Sequence, residues 1–196
     1  MATRPVSGVV LAAGGSSRLG TPKQLLPYGD TTVLGASVGV ARACGFNQLI
    51  VTLGGSADAV GQAVPLDGID VVTIDDFGSG CSSSLRAALI RVNPHATGIV
   101  LMLGDQPGVS PTTVGRLVAA AGAPIVICRY NDGVGHPFWL SRSTFGALAE
   151  LHGDKGVWKV IESGRFPVHE LPVGGSIPPD VDTWDDYRRL LASVSR

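Results

Sequence analysis

The sequence predicts an α/β protein built on a largely parallel sheet, and three observations predict it. Short Val- and Ile-rich runs recur along the 196 residues, segments with helical spacing separate them, and glycine or proline stands at several of the junctions. The run Ile99 to Leu103 is apolar throughout, as expected of a strand covered on both faces.

The elements follow in order. A first strand spans Val6 to Ala13 and breaks into Gly14-Gly15-Ser16-Ser17. Leu34, Val38 and Ala41 fall at i, i+4 and i+7, marking a helix that Gly45 stops. Gln48 to Leu53 is a second strand, ended by Gly54-Gly55-Ser56; a short helix holds Ala59, Val60, Ala63 and Val64, and Ile69 to Ile74 is a third strand. Beyond the loop at Asp75 to Gly80, a helix from Ser82 sets Leu85, Ala88, Leu89 and Val92 on one face, with Pro94 just past its end. Ile99 to Leu103 then gives way to Gly104-Asp105-Gln106-Pro107, a helix carrying Val114, Leu117, Val118 and Ala121, and a strand at Ile125 to Cys128. The remainder is less regular. Phe138-Trp139-Leu140 reads as a short strand, Phe145, Leu148 and Ala149 as a helix, Val168 to Val173 as a strand, and Trp184, Tyr187 and Leu191 as a closing helix.

Composition excludes several classes. A net charge of −1 with no basic run leaves no electrostatic footprint for nucleic acid or an anionic membrane, so any nucleotide handled is expected to be a small molecule. Cys44, Cys81 and Cys128 lie far apart without C-x-x-C spacing, which argues against a zinc site or a disulfide framework and fits a reducing compartment. Cys81, with no histidine beside it in sequence, reads as a packing residue. No apolar run approaches the ~20 residues of a membrane span. The first strand also starts too early to leave room for a signal peptide. A cytoplasmic location is the expectation.

The chemistry centres on Leu11-Ala12-Ala13-Gly14-Gly15-Ser16-Ser17-Arg18-Leu19-Gly20-Thr21-Pro22-Lys23. A buried strand breaking into a glycine- and serine-rich loop, with Arg18 and Lys23 following, presents backbone N–H groups and positive charge to phosphate. Other phosphate loops fail on spacing. Gly14 and Gly15 are adjacent and the next glycine is Gly20, which excludes the G-x-G-x-x-G dinucleotide turn; Thr21-Pro22 separates Gly20 from Lys23, which excludes the P-loop. Pro22 disfavours helix at Thr21, keeping the loop extended up to Lys23.

Asp105 follows the most apolar strand, where ligands of open α/β sheets bind, and a lone strand-end aspartate suits a magnesium ion that otherwise keeps its waters. Ser110 is the better cap for the helix that follows it. Asp182 admits two readings, a second metal carboxylate or a cap for the helix from Trp184. Ser82, Ser83 and Ser84 at a helix start either cap it or leave room and hydroxyls for a base or ribose.

These runs resemble, in order and over nearly the whole chain, the motifs of the molybdenum cofactor cytidylyltransferases, the MocA-like branch of the MobA-like nucleotidyltransferase superfamily. The likeness rests on L-A-A-G-x-x-x-R-x-G-x-x-K-x-L at Leu11 to Leu25, G-x-S-S-S-L at Gly80 to Leu85, G-D-Q-P at Gly104 to Pro107, G-H-P at Gly135 to Pro137, G-D-x-G at Gly153 to Gly156 and the acidic stretch Asp180-Val181-Asp182-Thr183. It implies a three-layer Rossmann-like nucleotidyltransferase fold with a mostly parallel central sheet, in a single MobA-like NTP transferase domain over 1–196. By that resemblance Arg18, Lys23 and Asp105 are catalytic, and Leu11, Ala12, Ala13, Gly14, Gly15, Ser16, Ser82, Ser83 and Ser84 bind the nucleotide. His136, Asp154 and Lys155 face the acceptor, and Asp105 with Asp182 hold Mg2+. Leu11-Ala12-Ala13-Gly14 points to CTP, where Leu-Ala-Gly-Gly would point to GTP. The implied reaction moves CMP from CTP to the phosphate of molybdopterin with release of pyrophosphate, and a recipient molybdoenzyme is an implied partner. The chain departs from the pattern at Val157-Trp158, where the family has Ala-Arg. Two other expectations stand beside this one: a nucleotidyltransferase for a sugar phosphate or other phosphorylated small molecule, and a non-catalytic nucleotide-binding protein for molybdenum cofactor delivery.

Overall fold

The computed structural model describes residues 5–74, 81–153 and 156–194. In chain order it contains β1 (Val6–Ala12), a 3-10 turn at Lys23–Leu25, β2 (Pro27–Tyr28), β3 (Thr31–Thr32), α1 (Val33–Ala43), β4 (Gln48–Leu53), α2 (Ala57–Ala63), β5 (Asp70–Thr73) and α3 (Cys81–Arg91). The second half contributes β6 (Gly98–Leu103), α4 (Pro111–Ala119), β7 (Ile125–Tyr130), β8 (Gly133–Ser141), α5 (Phe145–Ala149), α6 (Trp158–Glu162), β9 (Val168–Pro172) and α7 (Trp184–Val194).

Seven strands form one sheet in the order β5-β4-β1-β6-β8-β7-β9. β1 pairs in parallel with β4 and β6, β4 with β5, and β7 with β9; only β8 runs antiparallel to its neighbours in the sheet. The mostly parallel expectation therefore holds. Side-chain alternation builds the layers. Val10 and Ala12 of β1 join Val51, Val100 and Met102 under α1, α2 and α4, while Val9 and Leu11 join Ile50, Ile99 and Leu101 under α3, α5 and α6. β1 is buried at every residue, which is why it reads as a continuous apolar run.

Local chemistry sets the helix ends. Thr32 caps α1 by accepting from the Gly35 N–H at 3.0 Å, and Gly45 beyond it takes φ +67°, a conformation that favours glycine. Ser110 caps α4, as its position before Pro111 predicts, accepting from the Thr112 N–H at 3.2 Å. At α7 a reciprocal cap forms: the Asp186 carboxylate accepts from the Thr183 N–H at 2.8 Å, and the Thr183 hydroxyl accepts from the Asp186 N–H at 3.2 Å. The cap of α7 is thus Thr183, which leaves Asp182 available for other partners.

β8 is longer than the three residues its sequence suggests. Gly133, Gly135 and Pro137 break the strand pattern, and they are accommodated by a register shift against β7, where Ile127 pairs Phe138 but Cys128 pairs Gly135. His136 and Pro137 are the extra residues of that bulge. The β2–β3 hairpin, the 3-10 turn and α6 are each too short to show a period in sequence. A third cluster, with Leu19, Leu26, Val33, Val181 and Leu190, packs α7 and the segment before it over the loop following β1, and Tyr187 donates to the Pro27 carbonyl at 2.6 Å.

Candidate active site

β1 and β6 end side by side, with Leu11 level with Leu103 and the Gly104 N–H donating to the Leu11 carbonyl at 2.8 Å. The loop after β1 and the aspartate after β6 therefore leave the sheet together, at the carboxyl edge where open α/β sheets take ligands. Gly104 is required for this approach. A Cβ there would stand 2.6 Å from Ala12 Cβ and 2.9 Å from Leu34 Cδ1, inside any real contact. A cleft of about 570 Å³ opens above the two strand ends.

At its floor four charged side chains converge from three distant parts of the chain. Lys23 Nζ donates to Asp105 Oδ2 at 2.5 Å and to Asp182 Oδ1 at 2.9 Å, and Arg18 Nη1 lies 3.4 Å from Asp182 Oδ2. Lys23 and Asp105 are largely buried, whereas Asp182 and Arg18 are exposed. Burial alone would lower the Lys23 ammonium, but the attraction of Asp105 and hydrogen bonds to both carboxylates outweigh it and hold Lys23 above its ordinary value. Burial pushes the Asp105 carboxyl up against the pull of Lys23, with Asp180 adding to the rise. The Lys23 hydrogen bond holds Asp182 below the usual carboxylate range. The Lys23 ammonium is clamped between two carboxyl groups. Two oxygen donors from separate elements thus already converge on one positive centre.

The loop after β1 is tied down from below. Ser16, the only non-glycine residue at positive φ among the described residues, accepts from the Lys23 N–H through its hydroxyl at 2.9 Å. Gln24 donates from Nε2 to the carbonyls of Ala12 at 2.7 Å and Gly14 at 3.0 Å.

Of the residues singled out in the sequence, Leu11, Ala12, Ala13, Gly14, Gly15, Ser16, Arg18, Lys23, Ser84, Asp105 and Asp182 line the cleft together. Ser82 and Ser83 are not part of its wall; Ser82 is buried and its hydroxyl donates to the Gly153 carbonyl, so it serves the join between α3 and the loop after α5. Asp154 and Lys155 lie outside the described residues. His136 sits in the β8 bulge, two residues beyond the Leu101–Phe138 pair toward the carboxyl edge of β6, and is not among the lining side chains. Its half-buried ring stacks on Phe138 at 4.1 Å between centroids, and burial lowers it to about 4, so it is neutral at physiological pH. Phe138 in turn meets Trp158 edge to face at 5.1 Å.

Cys81 corrects an expectation. It is exposed at the cleft wall rather than packed in the core, because α3 begins there with its first turn facing the cleft. Gln24 and Asp180, neither of which has a role of its own in the sequence reading, also line the cleft. For Asp180 the signal was the alternation Asp180-Val181-Asp182, which points both carboxylates away from the buried Val181. Gln24, between Lys23 and Leu25, carries no such signal in sequence, and only the structure shows that its polar side chain is buried, at 5% exposure.

Comparison with known proteins places residues 8–169 in the family described as MobA-like NTP transferase domain. Nicotine blue oxidoreductase of Paenarthrobacter nicotinovorans is 32% identical over 204 residues, 95% of this chain and 96% of that one. Among solved structures, Rv0371C of Mycobacterium tuberculosis H37Rv in complex with manganese is 63% identical with a TM-score of 0.89, covering 96% of this chain and 99% of that one. A nucleotidyl transferase from Methanothermobacter thermautotroptrophicus is 27% identical with a TM-score of 0.83, covering 98% of each chain.

Proposed function

This chain belongs to the MobA-like NTP transferase family, and on that premise we propose that it transfers CMP from CTP to the phosphate of molybdopterin, releasing pyrophosphate. The observation that carries the reading is the clamp of Lys23 between Asp105 and Asp182 at the mouth of the loop after β1. Such a site handles phosphate charge.

Asp105 and Asp182 fit a divalent ion. Both already direct an oxygen at one cationic centre, the Lys23 ammonium, from elements on opposite sides of the cleft. The manganese complex of Rv0371C supports a divalent metal in this family. When bound, Mg2+ supplies neutralisation of the triphosphate charge.

The protein's own groups do the rest. The loop amides and Arg18 hold the β- and γ-phosphates, and Lys23 offsets charge developing at the α-phosphate. An acceptor phosphate oxygen attacks the α-phosphorus in line, forming the new P–O bond as the bond to the β-phosphate oxygen breaks and pyrophosphate leaves. A phosphate nucleophile is already ionised, so no base is needed; His136, neutral and outside the cleft wall, is not asked to be one. The Ala13 side chain fills space a purine would use, which favours CTP over GTP.

One observation favours a second acceptor. Val157 is buried and Trp158 packs on Phe138, so the cation that the family carries there is missing, which favours a different phosphorylated small molecule as acceptor. The deciding assay is pyrophosphate release with Mg2+, CTP against GTP, with and without molybdenum cofactor, and with Asp105→Ala as control. Release requiring CTP, the cofactor and Asp105 is expected. Release with a sugar phosphate instead selects the second acceptor, and nucleotide binding without release under any condition selects a non-catalytic delivery protein. Because one relative bears an oxidoreductase name, oxidation of a reduced nicotinamide dinucleotide is the companion control. None is expected, since the dinucleotide turn is lacking.

A further inference from the structure

We infer that Gln24 is the positioning residue that aims the backbone amides of the nucleotide loop, an inference that rests on the proposed nucleotide site. Its carboxamide donates both hydrogens of Nε2, to the carbonyls of Ala12 and Gly14. Each acceptor belongs to a trans peptide, since the one cis bond among the described residues is His136-Pro137. In a trans peptide the C=O and the following N–H point in opposite directions. Pulling the Ala12 and Gly14 carbonyls toward Gln24 therefore turns the N–H groups of Ala13 and Gly15 the other way.

Those two N–H groups have no hydrogen-bond acceptor among the described residues, and both residues line the cleft. Unpaired within the described residues and set on the cleft wall, both N–H groups are available to an acceptor brought by a ligand. The chemistry of two such donors beside Lys23 suits phosphate oxygens.

The cost carried by Gln24 supports the assignment. Its Oε1 is buried with no hydrogen-bond partner, a penalty that a side chain serving only to fill space would avoid by being Leu or Met. What the glutamine adds over those residues is its pair of donors. The neighbouring backbone works in the same sense, since the Lys23 N–H holds the Ser16 hydroxyl and fixes the far end of the loop.

The test compares wild type with Gln24→Met, which keeps the volume and removes both donors. Inorganic tripolyphosphate is the probe, because it tests the loop without base or acceptor. Binding is followed by calorimetry and by the backbone amide resonances of Ala13 and Gly15. In wild type both resonances should move on titration; in Gln24→Met the affinity should fall about 10- to 100-fold, the size expected when charge-assisted hydrogen bonds lose their alignment. KM for the nucleotide should rise with it, while KM for the acceptor stays within about twofold. Unchanged tripolyphosphate affinity in a folded Gln24→Met overturns the inference. So does a wild type that binds tripolyphosphate without moving either resonance, a result that needs no variant to fold. A wild type that shows both shifts but never releases pyrophosphate leaves Gln24 in this role and removes the transferase reading alone.

Discussion

The two halves of the sheet carry opposite chemistry, one at the cleft and one packed away from its wall. On the β1 side, Lys23, Arg18, Asp105 and Asp182 form a charged floor tied by hydrogen bonds to a loop of small residues. On the β8 side, His136 stacks on Phe138, Trp158 meets Phe138 edge to face, and the histidine is neutral. The difference separates two tasks. Charged groups and backbone donors facing a cleft can meet a polar ligand, whereas a packed aromatic series holds neighbouring elements together. The family's arginine is absent from the second region, where Trp158 stands, and not from the first.

Removing the charge on one side should have the largest effect. Lys23→Met leaves two carboxyl groups facing each other and takes away the cation proposed to offset charge at the α-phosphate, so pyrophosphate release is expected to fall about a thousandfold. A loss below tenfold breaks the comparison, since the charged region would then not be the chemical one. Trp158→Ala tests the other side: the lost contact with Phe138 should lower stability by about 2 kcal/mol in denaturant titration, with KM for the nucleotide unchanged. Trp158→Arg sharpens the same point by lowering KM for a molybdopterin acceptor if the missing cation is what departs from the family.

Smaller effects lie away from the chemistry. Asp186→Ala removes the reciprocal cap of α7, worth about 1 kcal/mol, and loosens the segment that delivers Asp182. The Thr183 hydrogen bond holds the Asp186 carboxyl down to about 2, so the cap's contribution is complete above the ordinary carboxylate range and is lost as pH falls toward 2. Acid titration of Tm in wild type and variant should converge at that end. His136 behaves in the opposite sense to a paired histidine. The unfolded chain takes up a proton as pH falls through 6.5 while the folded ring waits until about 4, so stability declines over that window. The slope should be shallower in His136→Asn, by about 1–2 °C in Tm for a half-buried ring.

The reading of Asp182 shows how far sequence could reach. As a residue two before a helix it was equally a cap or a ligand, because both roles want an aspartate there. Thr183 and Asp186, whose T-x-x-D spacing is legible as a cap, take that role and remove the cap reading of Asp182, whose place as a metal ligand is the proposal above. β8 was different in kind. Its glycines and proline are honest signals of a broken strand, and only the register shift against β7 makes room for them.

By itself the sequence determined whatever depends on neighbours along the chain. The strands of the parallel half appear as apolar runs because both faces are covered, α1 and α4 are bounded by Gly45 and Ser110, and the loop from Gly14 to Lys23 stands out by its small residues and two cations. The tertiary structure alone decided what depends on the chain's return. Lys23 meets Asp105 across 82 residues and Asp182 across 159, and Gln24 can reach the Ala12 and Gly14 carbonyls only because the 3-10 turn folds back beneath the loop. No local pattern encodes such separations, because they are fixed by which strands pair, in which direction, and by how α7 packs over the loop after β1.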